Sequence, residues 1–314
     1  MAFDGHTAQS PIARLRLASY TGRVEWLAGR PRNARRWYAE AIGIARTHRI
    51  TRMLSFYVSG AVACTALTGD LEAADSLIQD LERYGTCGFL ASEENLGTAW
   101  LHAARGELTR ARHPARRSRR RPPHRSRHLR ECLLLTDIAR LGDPGSVQQR
   151  LTELASRCDG ALTHARARFA TALADDDPDR LTDCSHDLER MGSPILAAES
   201  AAAAASAWKH YGDARKATAA TTRATTLAAE CEGARTPLLS TLASTSGPLT
   251  KRQQEIALMA AAGNTTKAIS QHLTLSVRTV ENHLQHIYVK FGVRNRTDLA
   301  EALKYQMGRK PNGH

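Results

Sequence analysis

The sequence predicts an all-α protein in which a long array of helix pairs precedes a small, basic helical domain. Three observations carry this reading. Aromatic residues make up only 5% of the 314 residues while alanine is abundant, a composition that favours close-packed helices over a β-sandwich or barrel. Apolar residues recur three and four positions apart, the period of a helix with one buried stripe. Glycine-bearing turns separate these stripes at a spacing near 40 residues, the mark of an internal repeat.

The array opens over residues 12–109. Leu27-Ala28-Gly29-Arg30 is followed by Ala34, Trp37, Tyr38, Ala41, Ile42 and Ala45, one apolar stripe on a helix. Leu67-Thr68-Gly69-Asp70 is followed by Ala73, Ala74, Leu77, Ile78 and Leu81 in the same rhythm. Ala104-Arg105-Gly106-Glu107 and Tyr211-Gly212-Asp213-Ala214 open further copies. Such a helix pair cannot bury its apolar face alone, so neighbours are expected to stack into a superhelix. On these turns, clearest at Gly69-Asp70-Leu71-Glu72-Ala73-Ala74, the segment resembles a tetratricopeptide-like solenoid. An ordinary helical bundle is the alternative, since it gives similar patterns. Trp26, Trp37, Trp100 and Trp208 all fall in helical stripes, where repeat packing is the expected role.

Helical pattern continues through residues 131–232. Glu131–Leu141 ends at Gly142-Asp143-Pro144; Val147–Arg157 and Leu162–Leu173 follow. Asp175-Asp176-Asp177-Pro178 is a turn with helix-initiating chemistry. Leu181–Met191, Ile195–Tyr211 and Asp213–Cys231 complete the array, and the run Ala201–Ala205 allows helices to approach closely. The repeat region is thus assigned to 12–232. Residues 233–248, with two prolines and six Ser/Thr, read as a linker; 249–307 read as a second domain and 308–314 as a tail.

The formal net charge of +13 is unevenly placed: +10 between Arg110 and Arg130, +6 from Leu249 to the end, and −3 over the rest. Basic segments are the footprint of a polyanion partner, though charge alone cannot name one. The arginine run at 110–128 has no apolar period and contains three prolines, which predicts a disordered insert. Two origins stay open: a phosphate-binding tether, or a repeat helix damaged by a local change of reading frame. The second fits its position between Gly106-Glu107-Leu108 and the helical pattern that resumes at Leu129.

The most informative segment begins at Leu249. Thr250 and Gln253 fit a capping box, Ile256, Met259 and Ala260 give an inward stripe, and Gly263-Asn264 ends the helix. A short helix follows from about Thr266, with Ile269 and Leu273 inward and Thr274-Leu275 as a turn. Ser276 then caps a helix over Val277–Phe291 whose apolar stripe is Val277, Val280, Leu284, Ile287 and Phe291. Its opposite face carries Arg278, Asn282, Gln285 and Val289, with Glu281 on one flank and Thr279 and His283 on the other. Asn and Gln can bridge the N6 and N7 of adenine and Glu can accept from cytosine N4, so this face suits the major groove. Arg278, Glu281, Asn282 and Gln285 are the candidate base readers. Lys267, Ser276, Thr279, His283, Lys290, Arg294 and Arg296 are the candidate phosphate contacts.

This block resembles the LuxR-type helix-turn-helix. The likeness rests on Leu249-Thr250-x-Arg252, Gly263, Lys267-x-Ile269-Ser270, Leu273, Ser276-Val277-Arg278-Thr279-Val280-Glu281-Asn282-His283-Leu284, Ile287, Lys290-Phe291-Gly292-Val293 and Arg296. It departs at Gln253, where an acid is usual, at Thr266, where Asn is usual, and at Ala268, where Glu is common. The resemblance implies four helices, the third as reader and the fourth in dimer contact, through Thr297, Leu299, Ala300 and Leu303. Residues 160–248, with Leu196-Ala197-Ala198-Glu199 and Gly212-Asp213, in turn resemble the repeats that precede the DNA-binding domain in large ATP-binding LuxR regulators. The chain contains no G-x-x-x-x-G-K-[ST] phosphate cradle, so it is expected to be a C-terminal piece or short form of such a regulator.

Enzyme chemistry finds no support. His283 and His286 stand three apart but lack a third ligand at convincing spacing, the six cysteines form no CxxC pair, and no Gly-x-Ser-x-Gly elbow occurs. Neither metal nor cofactor is expected. Residues 1–15 lack a signal-peptide core, and no apolar stretch reaches the roughly 20 residues of a membrane span, so a cytoplasmic, nucleoid-associated location is expected. The expected function is sequence-specific transcription regulation as a homodimer on double-stranded DNA, with the repeats taking a protein or small-molecule effector. The alternative is a repeat scaffold in which DNA binding is secondary or lost.

Overall fold

The computed structural model describes residues 10–84, 94–117, 127–245, 249, 251–291, 293 and 295–307. Among these the regular structure is helical, without strands. The chain divides into two compact units, 1–239 and 240–314. The first unit holds α1 Pro11–Leu27, α2 Pro31–Thr47, α3 Leu54–Leu67, α4 Leu71–Arg83, α5 Leu96–Ala104 and α6 Leu108–Arg117. It continues with α7 Arg127–Arg140, α8 Gln148–Ala155, α9 Ala161–Asp175, α10 Pro178–Arg190, α11 Pro194–His210 and α12 Ala214–Ala229. Helix α13, Pro237–Thr245, runs across the boundary, and the second unit holds α14 Lys251–Ala261, α15 Thr266–His272, α16 Val277–Phe291 and α17 Arg296–Met307.

Local chemistry sets the helix starts. Asp70, Asp177 and Asp213 each accept the backbone N–H three residues on, at 3.2, 3.0 and 2.9 Å, satisfying a donor the helix cannot. Gly29, Gly69, Gly106 and Gly212 all end helices at positive φ, between 76° and 84°, a conformation that costs glycine little. Consecutive helices then pack as neighbours through most of the unit. The stacking suits a helical repeat.

The most buried helices are apolar on every side. Every residue of α3 is buried, because α2, α4 and α5 all pack on it, and a helix hydrophobic all round belongs in a core. Gly60 sits where a Cβ would lie 2.5 Å from the Tyr38 ring, so only glycine permits this approach of α2 and α3. In α11 the alanines of the 201–205 run, Ala203 apart, are buried, and α10 and α12 flank it. A further core layer joins Leu135, Ile138, Leu151 and Leu154, each side chain contributing about 1.5–3 kcal/mol when fully buried. Trp26, Trp100 and Trp208 are buried as expected, whereas Trp37 is 38% exposed.

The ends of the array meet. The Glu232 carboxylate accepts from the backbone N–H groups of Arg32 and Asn33, at 2.7 and 3.1 Å, at the start of α2. The Arg235 N–H donates to the Leu67 carbonyl at 2.7 Å, at the end of α3. An open solenoid has contacts only between adjacent repeats; this unit closes on itself. The outward stripe of α1, with Leu17, Tyr20 and Val24 three and four positions apart, is nevertheless exposed.

Two expectations change. The stretch assigned to a linker, 233–248, contains α13, because Thr236 and Pro237 form a helix start: the Leu239 N–H donates to the Thr236 hydroxyl at 3.3 Å, and Thr236 is buried. The arginine run expected to be disordered is helical through Arg117, with Pro114 inside α6. Proline there removes one helical hydrogen bond, but the helix start is anchored: Ala111 is fully buried and Arg112 Nε donates to the Leu141 carbonyl at 2.8 Å. Residues 118–126, and the tail 308–314, lie outside the described residues.

Candidate nucleic-acid interface

The C-terminal unit is built around one small core. Ile256, Ala257 and Ala260 of α14, Ile269 of α15, Val280, Leu284 and Ile287 of α16 and Leu299 of α17 are buried together. Helix α14 packs against α15, α16 and α17, and α15 packs against α16. Three polar devices fix the turns. The Thr265 hydroxyl caps α15 by accepting from the Ala268 N–H at 3.1 Å. The Ser276 hydroxyl caps α16 by accepting from the Thr279 N–H at 3.0 Å, and it also bonds the Thr279 hydroxyl at 2.7 Å. Arg252 reaches from α14 to donate to the Leu273 carbonyl at 2.5 Å, holding the turn that leads into α16. The Thr250 half of the expected capping box lies outside the described residues, while Gln253 is buried.

Burial of Val280, Leu284 and Ile287 orients α16. With ~100° per residue, Arg278, Asn282 and Gln285 must then fall on the far side, with Glu281 on its flank. Arg278, Glu281 and Gln285 are exposed there and Asn282 is half-buried. Lys267, on the preceding helix, is exposed, and so is Ser276 at the α16 N-terminus, where the helix dipole favours an anion. The helix therefore presents acceptors, amides and a guanidinium on one side and its packing on the other.

Some expected site residues are placed differently. Val277 is 44% exposed rather than part of the inward stripe, because it stands at the first position of α16, beyond the reach of the core. Leu299, expected at a dimer contact, is fully buried in the unit's own core, so it is not available to a partner. Leu303 packs partly on that core, Ala300 is half-buried and Thr297 is exposed. The Arg296 guanidinium, expected at phosphate, is engaged inside the unit: it donates to the Asn264 carbonyl and, at 2.6 Å, to the Thr266 hydroxyl. Thr266, a departure from the usual Asn, thereby supplies an acceptor to this clasp. Arg294 and the side chains of Lys290, Val289, Phe291 and His286 lie outside the described residues.

The clasp makes a first prediction. Arg296→Ala leaves a carbonyl and a hydroxyl without their donor, and the loss of such a partner costs about 1–3 kcal/mol. Thermal unfolding of the C-terminal unit should register that loss without any DNA present. An unchanged midpoint would show that the clasp carries no stability.

His283 makes a second. Partial burial, with the Arg252 cation nearby, pushes its imidazole below the ordinary value of 6.5. The unfolded chain then binds the proton more readily than the folded one. The stability this contributes is complete above about 6.5 and is lost as pH falls toward and through the depressed folded value. An NMR titration of the His283 ring should show protonation only below 6.5, and a midpoint at or above that value would refute the assignment.

Comparison with known proteins agrees with this architecture. Residues 247–303 match the luxR family of bacterial regulatory proteins; the C-terminal unit carries a LuxR-family helix-turn-helix domain. Over 53 residues the chain is 49% identical to the transcriptional regulatory protein YvfU of Bacillus subtilis, covering 17% of this chain and 26% of that protein. It is 44% identical over 55 residues to the putative HTH-type transcriptional regulator YhjB of Escherichia coli, covering 18% and 28%. It is 42% identical over 69 residues to the oxygen regulatory protein NreC of Staphylococcus aureus, covering 21% and 32%. The chain thus spans only about a quarter to a third of the length of these relatives. No solved structure matches the chain.

Proposed function

We propose that this protein is a DNA-binding transcriptional regulator that reads its operator with α16 in the major groove. The observation that carries the reading is the division of α16 into two faces. Val280, Leu284 and Ile287 are buried, and Arg278, Glu281 and Gln285 are exposed on a helix within a matched LuxR-family domain. The relatives' names, transcriptional regulators in two cases and a regulatory protein in the third, support the same reading. Asn282 and Gln285 read adenine, Glu281 reads cytosine and Arg278 reads guanine. Lys267 and the Ser276–Thr279 end of α16 hold phosphate, joined by Lys290 and Arg294 on their sequence positions. Two copies bind half-sites about one helical turn apart, with Thr297, Ala300 and Leu303 as the dimer-facing residues of α17. The protein acts in the cytoplasm, on the chromosome, and carries no catalytic activity.

The repeats serve as the effector or protein-interaction region. Supporting this is the exposed apolar stripe of α1, Leu17, Tyr20 and Val24, a surface of the kind that interaction sites use. The test is selection of bound fragments from random DNA by the purified chain. A two-fold symmetric site with affinity that falls steeply with salt is expected. Salt-dependent binding without sequence preference, or no binding at low salt, would overturn the reading.

A further inference from the structure

The N-terminal edge of the array is strongly basic. Between Ser10 and Met53 the chain carries ten arginines against two carboxylates, Glu25 and Glu40. Both are engaged: Glu25 by Arg30, and Glu40 by Arg14 at 3.2 Å. Arg35 and Arg46 reach across to Asp70 and Asp80, at 3.3 and 2.9 Å. Arg36, Arg49 and Arg52 are exposed, and among the described residues no carboxylate lies within ion-pair distance of them. Cations at a helix C-terminus suit its dipole, which accounts for Arg46 and Arg49. Arg36 stands in the second turn of α2, at the opposite end, where the dipole gives it nothing. With Arg14 it lines an open groove of about 670 Å³ that runs along α2 to His48, past Ala39, Gly43 and Thr47 on successive turns. Gly43 is the anomaly. Glycine inside a helix is destabilising relative to alanine, and at two other helix positions a neighbour explains it. A Cβ on Gly60 would meet the Tyr38 ring at 2.5 Å, and one on Gly97 the Ser59 carbonyl at 2.6 Å. On Gly43 it would meet nothing within 4 Å. The described residues do not need a glycine there; a backbone approaching from outside would.

We infer that this groove docks a helix of a partner protein, apolar on the side that meets α1 and α2 and acidic on its flank. The inference rests on the reading of the array as an interaction region, and adds where the partner lies and what charge it carries. Small side chains at Ala39, Gly43 and Thr47 let a second helix lie close, in the helix-in-groove mode. Carboxylates on that helix meet Arg36 at one end and Arg49 and Arg52 beyond the other, and this complementarity fixes the partner's sign. Leu17, one turn beyond Arg14 on α1, opens the exposed apolar stripe that continues to Tyr20 and Val24. A sugar-phosphate backbone could use the arginines but would leave that stripe in water, so a helix with an apolar side fits the surface better than a nucleic acid.

The experiment titrates the full chain into a fluorescent peptide of about five helical turns, with leucine and alanine on one face and glutamate on the other, and follows anisotropy. Versions with lysine in place of glutamate, and with proline at the centre, are the controls. The acidic helix should bind at least about tenfold more tightly than either control, and Arg36→Glu should weaken it by about tenfold. Gly43→Leu separates docking from folding. It places a helix former at an exposed position, so the unfolding midpoint should hold or rise, while the filled groove loses the peptide. Binding of the acidic helix that survives both variants would overturn the site and leave the array an interaction region elsewhere. Tighter binding of the lysine peptide would overturn the partner's charge, and binding of none would overturn the groove as a docking site. If a scrambled duplex lost affinity on Arg36→Glu as the peptide does, the surface would belong to nucleic acid and the inference would fall. A dimer of the full chain that Gly43→Leu dissolves would make the occupant a second copy, with the same result.

Discussion

Glu199→Ala should destabilise the N-terminal unit by about 3–5 kcal/mol, the cost of stripping a buried cation of its partner. The Glu199 side chain is completely buried and grips Arg140 through two parallel hydrogen bonds. Arg140 also lies 4.5 Å from the centre of the Trp100 ring, and Trp100 meets Trp26 edge-on at 5.8 Å. The pair therefore ties α7 and α11 to α5 and α1 at the centre of the unit. Asp137 alone would remain beside the guanidinium after the substitution. A loss of this size is a large share of the ~5–15 kcal/mol that typically holds a domain together, and urea unfolding will show it as a shift in midpoint at constant slope. Glu199→Gln keeps the volume and an acceptor for the guanidinium and should cost less than Glu199→Ala. If Glu199→Ala cost less than about 1 kcal/mol, the pair would not be the brace inferred here.

What could be read in the sequence was what local chemistry decides. Asp70, Asp177 and Asp213 cap helices because an aspartate before a helix has a donor within reach whatever lies around it. The glycine turns and the split of α16 into apolar and polar faces follow from the same short range. What could not be read depends on residues far apart in the chain. Nothing near Glu232 says that it will accept from Arg32 and Asn33, or that Arg235 will find the Leu67 carbonyl, so closure of the array was invisible. The linker composition of 233–248 hid α13 because Ser and Thr suit both a loop and a capped helix start. Leu299 sat on the family's dimer helix, and only packing could show that its side chain turns into its own core. Arg166 stands in an alanine-rich helical segment and gave no sign that it would be buried.

Gln285→Ala and Asn282→Ala are each expected to weaken binding to the preferred operator by about 1–3 kcal/mol and to relax the base preference at one position per half-site. The prediction rests on where the side chains stand. Gln285 is exposed on the face of α16 opposite Leu284 and Ile287, and Asn282 lies one turn before it. Neither belongs to the hydrophobic core, and thermal unfolding of each variant without DNA separates any loss of stability from the loss of reading. Lys267→Ala provides the contrast. An exposed lysine that meets phosphate carries no sequence information, so its removal should weaken all duplexes alike and reduce the salt slope by about 1. Binding isotherms on the selected operator and on a scrambled duplex, each at several salt concentrations, separate the two behaviours. If Asn282→Ala and Gln285→Ala lost affinity equally on both duplexes, the face would be an electrostatic surface rather than a reading one. If neither changed anything, α16 would not be the element that enters the groove.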